Sequence, residues 1–258
     1  MPNFNFSEEV WQGFPAGSRT YLGKSTLFYN GDPLVGLNLQ PLRYDLEERK
    51  KWKVIIVLPG VRNIPQHTFS GCTNVETVIM HEASVEGIYF RAFYNCSSLS
   101  SIRFSRNLRS IFLCAFFGCS SLRAVIAPSS CREILDQAFD RCTHLIIFSV
   151  PQNIQQFAED AINNTALKRA YDENNPNNQS LAEWIKNLNM EEEYQLHRLC
   201  SSDTPSFDTI ATKVREHEDG IGAMDVPNNM GISPFQYLSY NPYYTGISER
   251  ARNEHENA

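Results

Sequence analysis

The pair Phe-x-x-Cys occurs four times in this chain, at Phe69/Cys72, Phe93/Cys96, Phe116/Cys119 and Phe139/Cys142, at intervals of 24, 23 and 23 residues. Three residues after each cysteine stand Val75, Leu99, Leu122 and Leu145, and three further on stand Val78, Ile102, Val125 and Phe148. The register continues through Met80, Phe104, Ala127 and Val150, then Val85, Leu108, Cys131 and Ile154, then Ile88, Ile111, Ile134 and Phe157. These seven apolar columns absorb one extra residue, between Met80 and Val85, and insertions of that kind belong in loops. Val61 and Ile64 precede Val85 and Ile88 by 24 residues, so a half rung opens the array, and a fifth rung fades at Ala161-Ile162.

Within a unit the Leu-x-x-Ile-x-Phe stretch alternates as a short strand does, and Ala-Phe-x-x-Cys makes a compact turn whose Phe goes inside. One coil cannot bury its own columns, so rungs must stack and the open ends need caps. The fold class expected is a repeat solenoid, mainly short β-strands and turns, of about four to five rungs over 52–167, with an α-helical C-terminal cap.

The units AFYNCSSLSSIRFSRNLRSI, AFFGCSSLRAVIAPSSCREI and AFDRCTHLIIFSVPQNIQQF resemble the BspA-like class of leucine-rich repeats, whose common form is AFxxCxxLxxIxIPxxLxxI. The flanks WKVIIVLPGVRNIPQHTFSGCTNVETVIM, LHRLCSS and GISPFQYLSYNPY are similar to a subgroup numerous in diatom-type algae. The resemblance covers about residues 25–245 and implies a curved solenoid with a binding role, without a substrate or reaction. Cys131 in the Leu column and Ala127 in the Ile column depart from the pattern and imply a thinner rung there.

Outside the array, residues 1–24 carry Pro2 and Pro15 with little periodicity and are expected to be flexible. STLFYNGDPLVGL, within 25–51, reads as a hairpin about Asn30-Gly31-Asp32 that could pair with the first rung and close its edge. DENNPNNQ marks a linker over 168–179. Ser180 is placed to cap the helix LAEWIKNL; EEEYQLHRLC follows, and then SFDTIATKVREHEDG, whose Phe207, Ile210 and Val214 share one face. Over 180–245 this makes a helical cap, and GISPFQYL with LHRLC resembles the GxTPLHxA turn of an ankyrin repeat. Residues 246–258 read as a flexible tail.

Charge narrows the partners. Lys plus Arg against Asp plus Glu counts 7 and 6 over 1–53, 8 and 8 over 54–165, and 8 and 15 over 166–258. Neither a neutral middle nor an acidic end attracts polyphosphate, so no nucleic-acid partner is expected. The basic run Arg49, Lys50, Lys51, Lys53 follows Asp45, Glu47 and Glu48 and reads as a solvated, self-compensated turn. The opening MPNFNFSEEVWQGFP lacks the basic and apolar regions of an export signal, and the longest apolar stretch, Val54 to Leu58, cannot cross a bilayer. The expected location is cytoplasmic, without membrane insertion, and the seven cysteines are then free thiols.

No catalytic, cofactor-binding or metal residues are assigned. Cysteines of one solenoid column lie in a line about 4.8 Å apart, whereas zinc needs ligands converging tetrahedrally at about 2.3 Å. None of His67, His81, His144, His197, His217 and His255 stands in a ligand spacing, and GxSxG, Walker and GxGxxG patterns are missing. His197 in LHRLC reads as a packing or capping histidine, as the resemblance to an ankyrin turn implies.

Strand alternation places Thr77/Ile79, Ser101/Arg103, Ala124/Ile126 and Ile147/Ser149 on the face opposite the inward columns. Exposed Ile79, Ile126 and Ile147 around Arg103 would form an interface centre. The functional expectation is a non-enzymatic scaffold binding an unidentified protein through this strand face. The alternatives are a hydrolase or metal enzyme with a site between solenoid and cap, or a cell-surface repeat protein if the chain is exported.

Overall fold

A strand–helix–strand crossover takes about 30 residues, so a period of 23 must close with strands and turns alone. The computed structural model describes residues 25–31, 49–175, 178–188, 207–216 and 234. It shows five turns of two short strands each. The longer strand of each turn is β2 (Val54–Val57), β4 (Thr77–Met80), β6 (Ser101–Arg103), β8 (Ala124–Ile126) or β10 (Ile147–Ser149). The shorter is β3 (Asn63–Ile64), β5 (Gly87–Ile88), β7 (Ser110–Ile111), β9 (Glu133–Ile134) or β11 (Gln156–Phe157).

All pairing is parallel and in register, with Val78 beside Ile102 and Ile88 beside Ile111. The short strands form one continuous sheet, β3-β5-β7-β9-β11, while the long strands divide into β1-β2-β4-β6 and β8-β10. The interruption falls between β6 and β8, where buried Ala127 follows Phe104 in its column and the rung was expected to be thin.

Phe69, Phe93, Phe116 and Phe139 are fully buried, and successive rings stack at 5.1, 5.0 and 5.0 Å. Each cysteine after the first donates its Sγ–H to the phenylalanine carbonyl of the preceding rung: Cys96 to Phe69 at 3.2 Å, Cys119 to Phe93 at 3.2 Å, Cys142 to Phe116 at 3.3 Å. Column and ladder therefore hold each other, and burial pushes the Cys72, Cys96 and Cys119 thiols well up. Toward the last turn the core thins: Val150 and Ile154 are 8% and 9% exposed, and Phe157 is half-buried.

The Ala-Phe-x-x-Cys turn needs two left-handed residues per rung. They are His67 and Gly71, Arg91 and Asn95, Cys114 and Gly118, Gln137 and Arg141, with φ between 53° and 75°. At Gly118, which shares this left-handed position with Asn95 and Arg141, an added Cβ would stand 2.2 Å from Asn95 Oδ1 and displace that side chain.

The N-terminal edge is closed by β1 (Thr26–Tyr29), which pairs with β2. Tyr29, 2% exposed, lays its ring edge-on to Phe69 at 5.2 Å. The expected second strand of that hairpin lies outside the described residues, and β1 joins the sheet in parallel. Arg49, expected in solvent, is buried and donates to the Ser70 carbonyl.

At the other end the rung passes into helix without a break. The segment expected to be a linker over 168–179 begins as part of α1 (Ala166–Glu173), whose N-cap is Thr165. Ser180 caps α2 (Leu181–Asn187), accepting from the Glu183 N–H, and α2 buries Leu181, Trp184 and Ile185 in the solenoid core. The third expected helix is present as α3 (Phe207–Glu216), with Ile210 buried. LHRLC, GISPFQYL apart from Pro234, residues 1–24 and 246–258 and Cys200 lie outside the described residues. No helix among those described is long and apolar enough to cross a membrane.

Candidate functional site

The strand face expected to bind a partner is largely covered. Thr77 pairs with Ser101, Ile79 with Arg103, Ala124 with Ile147 and Ile126 with Ser149, so the expected residues stand in register on neighbouring strands. Exposure does not follow. Ile79, Arg103, Ala124, Ile126 and Ile147 are 5%, 8%, 6%, 1% and 0% exposed, and only Thr77, Ser101 and Ser149 are half-exposed. Ile79 belongs to a second apolar cluster on the outer side of the sheet with Val54 and Ile56, flanked by Phe28 and Leu58. Period-2 alternation assigns a side of the strand, and burial on that side depends on what else packs there.

The large apolar groups left in solvent sit elsewhere. Among the described residues two large hydrophobics are exposed, Tyr89 at 41% and Leu113 at 40%. Both lie just after the short strands, on adjacent rungs. The Tyr89 ring stacks on Phe112 at 4.5 Å. The pair rests over Gly87, where an added Cβ would be 3.0 Å from the Tyr89 ring and 3.6 Å from the Phe112 ring.

The same turn edge carries a ladder of rings and guanidinium groups. His67 meets Phe90 edge-on at 5.2 Å, and the Arg91 guanidinium stands 4.8 Å from both the Phe90 and the Tyr94 ring. Tyr94 stacks on Phe117 at 5.0 Å, and Arg141 lies over Phe117 at 5.3 Å. The left-handed backbone at His67, Arg91 and Cys114 turns that column toward this edge. Burial, reinforced by Arg91 and Arg49, lowers the His67 pKa. This strip was missed because only the repeated columns were followed. Its signal was Tyr89, Phe90, Tyr94, Phe112, Leu113 and Phe117, large apolar residues standing outside those columns.

No three His, Cys, Asp or Glu side chains among the described residues converge as a metal set. The six described cysteines are buried and unpaired with one another by disulfides. Burial raises the pKa of Cys131 to about 11 and raises that of Cys114, which opposes a thiolate nucleophile.

The turn sequence, the parallel rungs and the cysteine ladder agree with a family model, the BspA type leucine rich repeat region, which matches residues 51–180 in six copies. The chain belongs to the BspA-type leucine-rich repeat family. No single curated protein matches the BspA-type chain. Among solved structures it is similar to a leucine-rich repeat protein from Bacteroides ovatus, at 30% identity over 41% of this chain and 27% of that one, with a TM-score of 0.38. A leucine rich cell surface protein from Faecalibacterium prausnitzii is 25% identical over 52% of this chain and 35% of its own, with a TM-score of 0.41. The leucine-rich repeat protein of T. pallidum is 25% identical over 48% of this chain and 70% of its own, with a TM-score of 0.38. This BspA-type chain thus spans about a third or less of the first two.

Proposed function

We propose that this chain is a non-enzymatic protein-interaction scaffold that engages its partner through the turn strip around Tyr89 and Leu113. The carrying observation is that the two large exposed hydrophobics of the described structure stand on adjacent rungs, with Tyr89 stacked on Leu113's neighbour Phe112 and Arg91 over the Tyr94 ring. Aromatic and arginine side chains in a partly apolar patch are the composition of an interface centre. Repeat solenoids use their extended surfaces in this way, and burial raises the Cys72, Cys96, Cys114, Cys119 and Cys131 thiols away from the reactive thiolate.

The strand face, with Thr77, Ser101 and Ser149 still half-exposed, is the competing surface. Immobilised full-length chain offered native lysate separates the two. Tyr89→Ser/Leu113→Ser is expected to lose the proteins captured by the parent, while Thr77→Arg/Ser101→Arg retains them. The opposite pattern, with both variants folded by circular dichroism, assigns the surface to the strand face.

A further inference from the structure

We infer that the partner of the turn strip is a second copy of this chain, docked antiparallel about a two-fold axis through the third rung. The inference rests on the strip being the interaction surface, and the occupant follows from the order of charges along the solenoid.

Rungs one to three, residues 54–121, carry 5 Lys and Arg against 3 Asp and Glu, whereas residues 122–165 carry 3 against 5. The strip has the same polarity at finer scale. One column reads Gln66, Phe90, Leu113, Asp136, Glu159, and the next reads His67, Arg91, Cys114, Gln137, Asp160. Arg91 and the imidazole of His67 lie toward one end, the exposed apolar groups in the middle and the carboxylates at the other end.

A two-fold interface sets the same patch against itself in reversed order. An axis at the third rung puts Leu113 against the second copy's Leu113 and pairs rung two with rung four, and rung one with rung five. Arg91 then faces the second copy's Asp136, and His67 faces its Glu159 and Asp160. Within one copy these charges are still available. Neither Arg91 nor Asp136 is in an ion pair among the described residues, although the Arg91 guanidinium also stands over the Phe90 and Tyr94 rings.

The neighbouring charges are already engaged: Glu86 by Arg62, Glu133 by the Ser110 hydroxyl, and buried Asp140 by Asn164. Asp160 also accepts from the Gln137 N–H. Arg141, a cation at the acidic end, lies over the Phe117 ring.

Five rungs about 4.8 Å apart make a strip about 24 Å long, a footprint of roughly 500 Å² per copy. That is the low end for specific association, so the dimer forms with rising concentration and weakens with salt.

Sedimentation of the full chain across a wide concentration range, at low and high salt, tests this. The parent is expected to dimerise reversibly. Arg91→Asp and Asp136→Arg should each raise the midpoint concentration roughly tenfold or more, since aspartate tolerates the left-handed backbone at position 91. The combined variant exchanges the two charges and should return the midpoint close to that of the parent. A parent monomeric at every concentration, or a dimer indifferent to either single change, overturns the self-pairing. So does failure of the combined variant to restore it. If Tyr89→Ser/Leu113→Ser loses lysate partners while the parent stays monomeric, the strip remains the interaction surface and only the second copy is excluded. A dimer unaffected by Tyr89→Ser/Leu113→Ser overturns self-pairing through the strip.

Discussion

Phe93 and Phe116 stack with ring centroids 5.0 Å apart and planes 3° from parallel. Phe116 also stacks on Phe139 at 5.0 Å and receives the edge of Phe104 at 5.9 Å, so it touches rings on both sides. Truncation would leave a cavity that the backbone ladder of fixed rung spacing cannot close. Phe116→Ala is therefore expected to lose about 3–5 kcal/mol, read as a lowered urea midpoint. Phe116→Leu, which refills most of the volume, should lose less. Unchanged melting of the alanine variant would show that the proposed register is wrong.

Thr165 stands where the repeat would put a cysteine. Its hydroxyl donates to the Ile162 carbonyl at 2.7 Å and accepts from the Lys168 N–H at 2.9 Å, so one side chain closes the last turn and caps α1. Thr165→Ala should lose about 1–2 kcal/mol, and Thr165→Ser, which keeps both bonds, distinctly less. Equal losses measured by chemical denaturation would place the effect in the methyl group and not in the cap.

The cysteine column is predicted to be silent to thiol reagents in the folded chain. Burial raises the Cys72, Cys96, Cys119 and Cys131 thiols, so the reactive thiolate is scarce near pH 8. Labelling of these four should wait for unfolding, and after denaturation all seven thiols of the sequence should react. A chelator should leave the melting temperature unchanged. Rapid native labelling of the column, or destabilisation by chelation, would contradict this structure of the core.

Acid should weaken the fold. Burial lowers the His67 pKa, with Arg91 and Arg49 adding to the effect, and burial lowers that of His81 against the pull of Glu82. The unfolded chain therefore takes up these protons first as pH falls below about 6.5. Stability present above that value is lost on further acidification, down through the lower folded pKa values. His67→Gln should flatten the fall in melting temperature between pH 7 and pH 5. A slope unchanged in both His67→Gln and His81→Gln would assign the acid response to the carboxylates.

The solenoid was legible in the sequence because a repeat writes its interior several times over. Phe93, Phe116 and Phe139 could be assigned inward from their period alone, and each is fully buried. Ser180 and Phe207–Glu216 were likewise readable from local capping and helical spacing. α1 was not: ALKRAYDE stood beside an Asn- and Pro-rich stretch, and its start depends on Thr165 meeting the end of a rung.

The surface was decided by tertiary structure. Alternation placed Ile79, Ile126 and Ile147 on the outer side of their strands, yet exposure depends on packing across that side, and all three are buried. Tyr89 and Leu113 remain in solvent through the reverse effect. Parallel stacking of the rungs set Tyr89 against Phe112 over Gly87, and among the described residues Tyr89 and Leu113 remain exposed. Period and capping are local properties that one segment carries by itself. Which apolar residues remain in water is a property of every segment packed around them.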